Sequence, residues 1–317
     1  MVMLTKLDKK DFDKILTQYV LGKYVIHKHF PHALSNSVYA LTTTSGKYIL
    51  KVYECENDKF VKYQIRLTNV LTERGVKVPA HIKTTSGKIT ITYKNKLIGI
   101  QEFIEGKPLS NHMNVHLLKD LVKNVIALHQ ILLTLNFRNG DNWGYAHQFE
   151  CDNLDYAPPN FPLQEEYNKY LKEVRKNVNP RKLRRSIVHG DLRGDNLIVG
   201  DNHVRAIIDF DDSHRDYLIY DIVTLFCGDF ICGNKIYKSN MQLFLSTYQK
   251  ELKLNLDEKK AIYYFMKQRY LSTINYSVGK RQKHVDQVDE INEWLTGVLN
   301  QYETFCKLPI EEFLSFF

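Results

Sequence analysis

The chain has 317 residues, 44% hydrophobic and 25% charged, and 44 Lys plus Arg against 36 Asp plus Glu give a formal net charge of +8. That length exceeds one ordinary core and suits two domains, and the composition excludes a disordered or fibrous chain. No apolar run approaches the roughly 18–20 residues of a bilayer span, and Lys6, Asp8, Lys9 and Lys10 interrupt the start before a secretory signal could form, so a cytoplasmic protein with no membrane partner is expected.

Asp8 to Val20 puts Phe12, Ile15, Leu16 and Tyr19 on one face and predicts a short amphipathic helix. Residues 24–30, 38–44, 47–53, 89–93 and 97–104 are rich in β-branched and aromatic side chains and predict strands. One helix interrupts them, from about Asp58 to Arg74, stopped by Gly75 and Pro79. After Glu105-Gly106-Lys107-Pro108 long helical periodicities take over, at 116–135, 166–174, 217–226, 242–252, 257–274 and 288–305, with short strands at 187–188 and 204–209. The expected fold class is therefore α+β, with a small antiparallel-sheet lobe (1–105) and a larger helical lobe (106–317). The pentapeptide Thr-Thr-Ser-Gly-Lys occurs at 43–47 and 84–88, each copy expected as a hairpin turn. Neither copy is a P-loop, since Leu41 and Ile82 stand where the first glycine is needed.

The five cysteines are scattered, with no CxxC pair for zinc or redox work. The densest basic run, Arg175-Lys176 with Arg181, Lys182, Arg184 and Arg185, has no interleaved aromatics and reads as solvated surface, so no nucleic-acid partner is expected. His27, His29 and His32 lie near one strand end without an acid or cysteine among them.

The chemistry concentrates in Val188-His189-Gly190-Asp191-Leu192-Arg193-Gly194-Asp195-Asn196, followed by Ile207-Ile208-Asp209-Phe210-Asp211. This is a strand, a polar turn and a second strand ending in acids. Asp191, Asn196 and Asp209 are hard oxygen donors of the kind that suits Mg²⁺. Phosphoryl transfer needs an acid to accept the hydroxyl proton, with acid and amide groups to hold the metal that screens the phosphates. A hairpin return from Asn196 to Asp209 would bring the two metal ligands to one end of the sheet.

These two segments resemble the H-G-D-x-x-x-x-N and D-F-D loops of the aminoglycoside phosphotransferase and choline kinase family, relatives of protein kinases. The resemblance implies a two-lobed protein-kinase-like fold and ATP with Mg²⁺. It implies Asp191 as catalytic base, Asn196 and Asp209 as metal ligands, His189 and Asp221 as braces of the loop, and Arg193 beside the transferring phosphate. In the first lobe, Lys51 in Tyr48-Ile49-Leu50-Lys51-Val52-Tyr53 is a cation amid alternating apolar residues, and the resemblance gives it the ATP α- and β-phosphates. Ser35-Asn36-Ser37 matches the phosphate-covering turn without its usual glycines, and Gln101-Glu102-Phe103-Ile104 matches the hinge that receives adenine. Where protein kinases pair the lysine with glutamate, this chain has Gln64, or Glu56 if the helix begins earlier.

The N-terminal half is most similar to homoserine kinases of the kinase-like type, through Leu16-Thr17-Gln18-Tyr19, Leu50-Lys51-Val52-Tyr53-Glu54 and Phe103-Ile104-Glu105-Gly106. The expected partner is a small-molecule hydroxyl acceptor, homoserine or a similar amino alcohol first. Asp212 is a candidate for its amine and Arg269 for its carboxylate. A choline-type acceptor would want aromatic faces, and Trp294, Tyr263 and Tyr276 are the candidates; an aminoglycoside would want the acids Asp286, Glu290 and Glu293. A nucleotide-holding pseudokinase is the reading from a different class. A protein-directed kinase is disfavoured because no A-P-E platform follows Asp211. Oligomeric state is not encoded in any motif.

Overall fold

The computed structural model describes residues 5–30, 36–54, 58–109, 113–137, 163–283 and 288–317, the side chains of 58, 164, 279–283, 288 and 290 apart. Its contacts divide the chain into two compact units, Met1–Gly106 with Arg205–Ile208, and Lys107–Val204 with Asp209–Phe317.

In the first unit α1 (Lys9–Leu16) opens on a capping box, in which Asp8 accepts from the Asp11 N–H and Asp11 accepts from the Asp8 N–H. The buried Asp11 carboxylate also accepts from Tyr93 Oη and Lys94 Nζ, each at 2.8 Å. The helix stops at Leu16, four residues short of the sequence reading, while Tyr19 beyond it stays buried. The sheet comprises β1 (Tyr24–His29), β2 (Ser37–Thr43), β3 (Gly46–Tyr53), β4 (Thr90–Tyr93) and β5 (Lys96–Glu102), in the order β1-β2-β3-β5-β4, all antiparallel. On β2 burial alternates strictly, so Tyr39 and Leu41 meet Leu50, Val52, Ile98, Ile100 and the α1 residues Phe12 and Ile15 in one core. The helix α2 (Asp58–Glu73) follows β3. The first Thr-Thr-Ser-Gly-Lys copy turns β2 into β3 as expected. The second instead closes on itself, with the Thr84 N–H on Lys88 O at 2.7 Å, and only the single bridge His81–Gln101 precedes it.

The second unit begins with β6 (Lys107–Pro108) and runs through α3 (Val115–Leu132), α4 (Gln164–Asn177), β7 (Arg185–Val188), β8 (Leu197–Gly200), β9 (His203–Ile207, whose last three residues belong to the first unit), β10 (His214–Tyr217) and α5 (Tyr220–Leu225). A π-helical turn at Phe226–Phe230 extends α5. The chain continues in β11 (Ile231–Cys232), β12 (Lys235–Ile236), α6 (Lys238–Glu251), α7 (Leu256–Lys283), α8 (Val288–Phe305) and α9 (Ile310–Leu314). Leu118, Leu121 and Val125 of α3 and Phe244, Leu245 and Tyr248 of α6 are fully buried, in a core shared with Tyr220, Phe226 and Phe265. The sequence reading started a helix at Tyr217. The residues 214–217 form a strand instead, paired antiparallel with β7 from His214↔Val188 to Tyr217↔Arg185. Among the described residues no helix is long and apolar enough to cross a membrane.

Candidate active site

The loop 189–196 leaves β7 under a fully buried carboxylate. Asp221, at the start of α5, accepts from the backbone N–H groups of His189 and Gly190, both at 2.9 Å, and faces His129 Nε2 at 3.3 Å. Burial pushes the Asp221 pKa up, but the bonds and charge from His129 and the His189 N–H outweigh it and hold the carboxyl below its ordinary value. Gly190 has φ +86°, and a Cβ there would stand 2.2 Å from Asp212 O, so no side chain fits. The Asp191 N–H points to His189 Nδ1 at 3.3 Å, and the His189 ring lies 4.5 Å from the Phe210 ring, joining the two motif segments.

Asp191 is thereby fixed at the head of the loop. Its Oδ1 accepts from Arg269 Nη2 at 2.9 Å, and Arg193 Nε stands 4.0 Å from its Oδ2. Arg193 itself pairs with Asp195. The Asn196 amide nitrogen donates to Asp191 O at 2.8 Å and reaches Asp191 Oδ2 at 3.3 Å, which leaves Oδ1 of Asn196 as the end able to ligate a metal. Asp209 has left-handed backbone, φ 62°. Among the described non-glycine residues with positive φ, Lys94–Asn95 and Asp201–Asn202 occupy two-residue turns of the β4–β5 and β8–β9 hairpins, whereas Asp209 lies outside any hairpin turn. Such a conformation costs about 1–2 kcal/mol and collects at functional positions.

Three carboxyls at this end of the unit, Asp191, Asp209 and Asp212, act on one another. The Asp212 carboxyl pKa is raised, first by loss of water around it and then by the charges of Asp191 and Asp209, with Arg269 and His189 acting the other way. The donors are hard oxygens, and among the described residues no group of three or more His, Cys, Asp and Glu forms a ready-made metal cage. Two protein ligands completed by phosphate oxygens and water suit Mg²⁺ better than zinc or calcium.

Sequence reasoning missed Asp229. It is buried, and its Oδ2 accepts from the Gly194 N–H at 2.8 Å, in the middle of the loop whose start Asp221 holds. A Cβ on Gly194 would lie 2.3 Å from Asp229 Oδ1 and 2.8 Å from Leu109 O. On a straight α-helix position 229 would sit about 80° round from 221, at 3.6 residues per turn. The wider turn at Phe226–Phe230 rotates less per residue and brings the two carboxylates back toward one side. Burial pushes the Asp229 pKa up to about 7. A carboxyl raised in the folded state adds stability that is fully present below its unfolded pKa, about 4, and is lost as pH rises through about 7. Asp229→Asn keeps an acceptor for Gly194 without the charge. It should therefore be more stable than the wild type at pH 8, by about 1–4 kcal/mol, and should lack the wild type's decline between about pH 4 and 7. Thermal melts across that range check this.

In the first unit Lys51 lies on β3, and its charge together with burial depresses the His81 pKa to about 4, burial being the larger cause. His81 Nε2 faces Thr68 Oγ1 of α2 at 3.0 Å and Gln101 Nε2 at 3.3 Å. Gln64 is buried on α2; Glu56 and Ser35 lie outside the described residues. Asn36 Oδ1 accepts from the Glu54 N–H at 3.0 Å, and Glu102 Oε1 accepts from the Ala80 N–H at 3.0 Å. The side chains of Asn36, Gln101 and Glu102 thus serve the unit's own frame. Ile104 lies beyond the end of β5.

Trp294 lies on α8. It is 41% exposed and meets Tyr276 edge-on at 6.2 Å, and Tyr276 is about 10 Å along α7 from Arg269. Tyr263 is about 20 Å along α7 from Tyr276, ringed by Tyr264, Phe305 and Phe313, so the three aromatics do not form one cage. Asp286 and the Glu290 side chain lie outside the described residues, as does His32; His27 packs against Phe12 and Tyr24.

Residues 27–238 match the model of the phosphotransferase enzyme family. The chain belongs to that family. This phosphotransferase is 25% identical over 228 residues to the homoserine kinase of Parvibaculum lavamentivorans, covering 70% of each chain. It is similar in fold to an amicoumacin kinase solved in complex with AMP-PNP, Ca²⁺ and Ami, with a TM-score of 0.74, 17% identity and coverage of 96% and 95% of the two chains. It also resembles a choline/ethanolamine kinase family protein from Mesorhizobium loti, with a TM-score of 0.63, 13% identity and 95% and 94% coverage. The phosphotransferase has the two-lobed, kinase-like α+β fold, and it is an enzyme, a small-molecule kinase.

Proposed function

We propose that the protein transfers the γ-phosphoryl group of Mg-ATP to the hydroxyl of a small amino alcohol, with homoserine the first acceptor to test. The observation that carries this reading is the clamped loop that presents Asp191 next to Asn196, with Asp191 and Asp209 both acting on the Asp212 carboxyl. The acceptor oxygen bonds to the γ-phosphorus as the bond to the β,γ-bridging oxygen breaks. The hydroxyl proton passes to Asp191, late in a loose transition state. Asn196 and Asp209 would hold Mg²⁺, whose charge would screen the phosphates. Arg193 stabilises charge on the moving group. Lys51 pairs with the α- and β-phosphates, backbone around Asn36 covers them, and backbone at 101–104 receives adenine. Homoserine is favoured by the named relative, with Asp212 facing the amine and Arg269 the carboxylate. Trp294, Tyr276 and Tyr263 do not form the single aromatic cage that a choline-type acceptor would want, which favours the amino-acid alcohol.

ADP release measured with Mg-ATP over an acceptor panel tests the transfer, and consumption with no acceptor in the panel would return the protein to a nucleotide-holding module. The metal assignment has its own test. Asp209→Ala should abolish metal-dependent turnover, while Asn196→Ala should raise the Mg²⁺ concentration needed for half-maximal rate. Unchanged Mg²⁺ titrations in both variants would remove these residues from the metal.

A further inference from the structure

The carboxylate assigned to the acceptor's proton is occupied. Asp191 Oδ1 accepts a charge-assisted bond from Arg269 at 2.9 Å, and Oδ2 faces Asn196 Nδ2 and Arg193. The pair joins positions 78 residues apart, the loop after β7 and the long helix α7, with side chains only 25% and 18% exposed. A hydroxyl must direct its hydrogen at Asp191, and the strongest donor already there is a guanidinium fork. Bonds of this kind are about twice as strong as neutral ones. An uncharged acceptor that displaced Arg269 would break this bond and give the half-buried guanidinium no carboxylate in exchange. A carboxylate brought by the acceptor can replace Asp191 on the guanidinium, through two parallel N–H donors. Among the described residues, the groups that face Arg269 include Asp212, on the 210–212 turn, Arg193 and the buried Cys227 thiol.

We propose that the Arg269–Asp191 ion pair is an acceptor-operated latch: the carboxylate of a hydroxy acid takes the guanidinium, and that exchange frees Oδ1 of Asp191 for the same molecule's hydroxyl. This rests on the reading of Asp191 as base, and it narrows the acceptor class to hydroxy acids. It also explains how water is kept from the γ-phosphate before an acceptor arrives. A carboxylate without a hydroxyl opens the latch with nothing to phosphorylate. Water then supplies the oxygen that bonds to phosphorus, its proton goes to Asp191, and ADP and phosphate leave.

The experiment uses homoserine, 3-amino-1-propanol (the same chain without the carboxylate) and 2-aminobutyrate (without the hydroxyl), against the wild type, Arg269→Met and Arg269→Lys. Methionine keeps the stem's packing and helix propensity, so folding should survive. In the wild type 2-aminobutyrate should raise ATP hydrolysis several-fold, and in Arg269→Met it should do nothing. Acceptor-free hydrolysis by Arg269→Met should exceed the wild type's several-fold. The preference in kcat/KM for homoserine over the amino alcohol should fall by at least about 10²-fold, with Arg269→Lys in between because it keeps the charge and loses the fork. Equal losses with both acceptors and a raised KM for ATP would instead make Arg269 a phosphate ligand and overturn the latch. If the wild type phosphorylates neither acceptor, the homoserine reading fails on its own. The latch is then judged by acceptor-free hydrolysis, where a rate in Arg269→Met no higher than the wild type's overturns it.

Discussion

Asp191→Asn should turn over about 10²–10⁴-fold more slowly than the wild type at saturating Mg-ATP and acceptor, with the KM for ATP little changed. The substitution is isosteric, and the loop around it is held by groups that do not involve the Asp191 side chain: Asp221 on the His189 and Gly190 N–H groups, and Asp229 on that of Gly194. Asparagine can still accept from Arg269 through its remaining oxygen and gives up only the longer contacts that Oδ2 makes with Asn196 and Arg193, so the larger loss falls on proton acceptance. Because the transition state is loose and positioning dominates, the effect should lie toward the lower end of the range when the acceptor is well held. Steady-state ADP release gives the rate, and calorimetric titration with a non-hydrolysable ATP analogue gives the binding. Turnover within a few-fold of wild type would take the proton away from Asp191.

The sheet of the first unit was legible because its strands alternate: on β2, Ser37, Tyr39, Leu41 and Thr43 face inward, and that pattern is local to the chain. His214-Arg215-Asp216-Tyr217 has no such alternation. It is a strand because β7 lies beside it, with Asp216 paired to the buried His214, and pairing across about 30 residues leaves no local periodicity to read. The loop 189–196 was legible for the opposite reason, since its chemistry is contiguous and its residue types are those phosphoryl transfer needs. Its supports were only half legible. Asp221 stood in register with the motif, but His129, which faces Asp221 and Tyr248 at once, looked like one more position on a periodic helix. Asp229 gave no signal, because the π turn that swings it toward Gly194 depends on packing and not on a breaker residue. Arg269 was visible as a cation on a helix, while its partner, 78 residues away, was not. Trp294 was visible as an exposed aromatic, while the edge-on contact with Tyr276 on another helix was not.

Asp221→Ala should lower stability by about 3–5 kcal/mol, a large share of the roughly 5–15 kcal/mol that holds a typical domain, and should slow turnover even where the protein stays folded. The side chain is fully buried and accepts from two backbone N–H groups while facing a histidine ring. Alanine would leave those donors in a dry interior with no acceptor, and each unsatisfied group costs about 1–3 kcal/mol. The released groups belong to His189 and Gly190, immediately before Asp191, so Asp191 would lose its fixed position together with the stability. Asp221→Asn keeps one acceptor oxygen and turns an NH₂ toward the remaining donors, so it should fall between the two. The pH dependence follows from the lowered carboxyl pKa: the contribution is present above the unfolded value, about 4, and is lost as pH falls through the lower folded value. The gap between wild type and Asp221→Ala should therefore be full at pH 7 and should close only in acid below about pH 4. Urea midpoints at pH 7 and pH 3 measure the gap, and rates taken well below each variant's melting temperature separate loop positioning from unfolding. A variant with an unshifted midpoint and a normal rate would show that the two backbone donors find other acceptors and that Asp221 does not carry the loop.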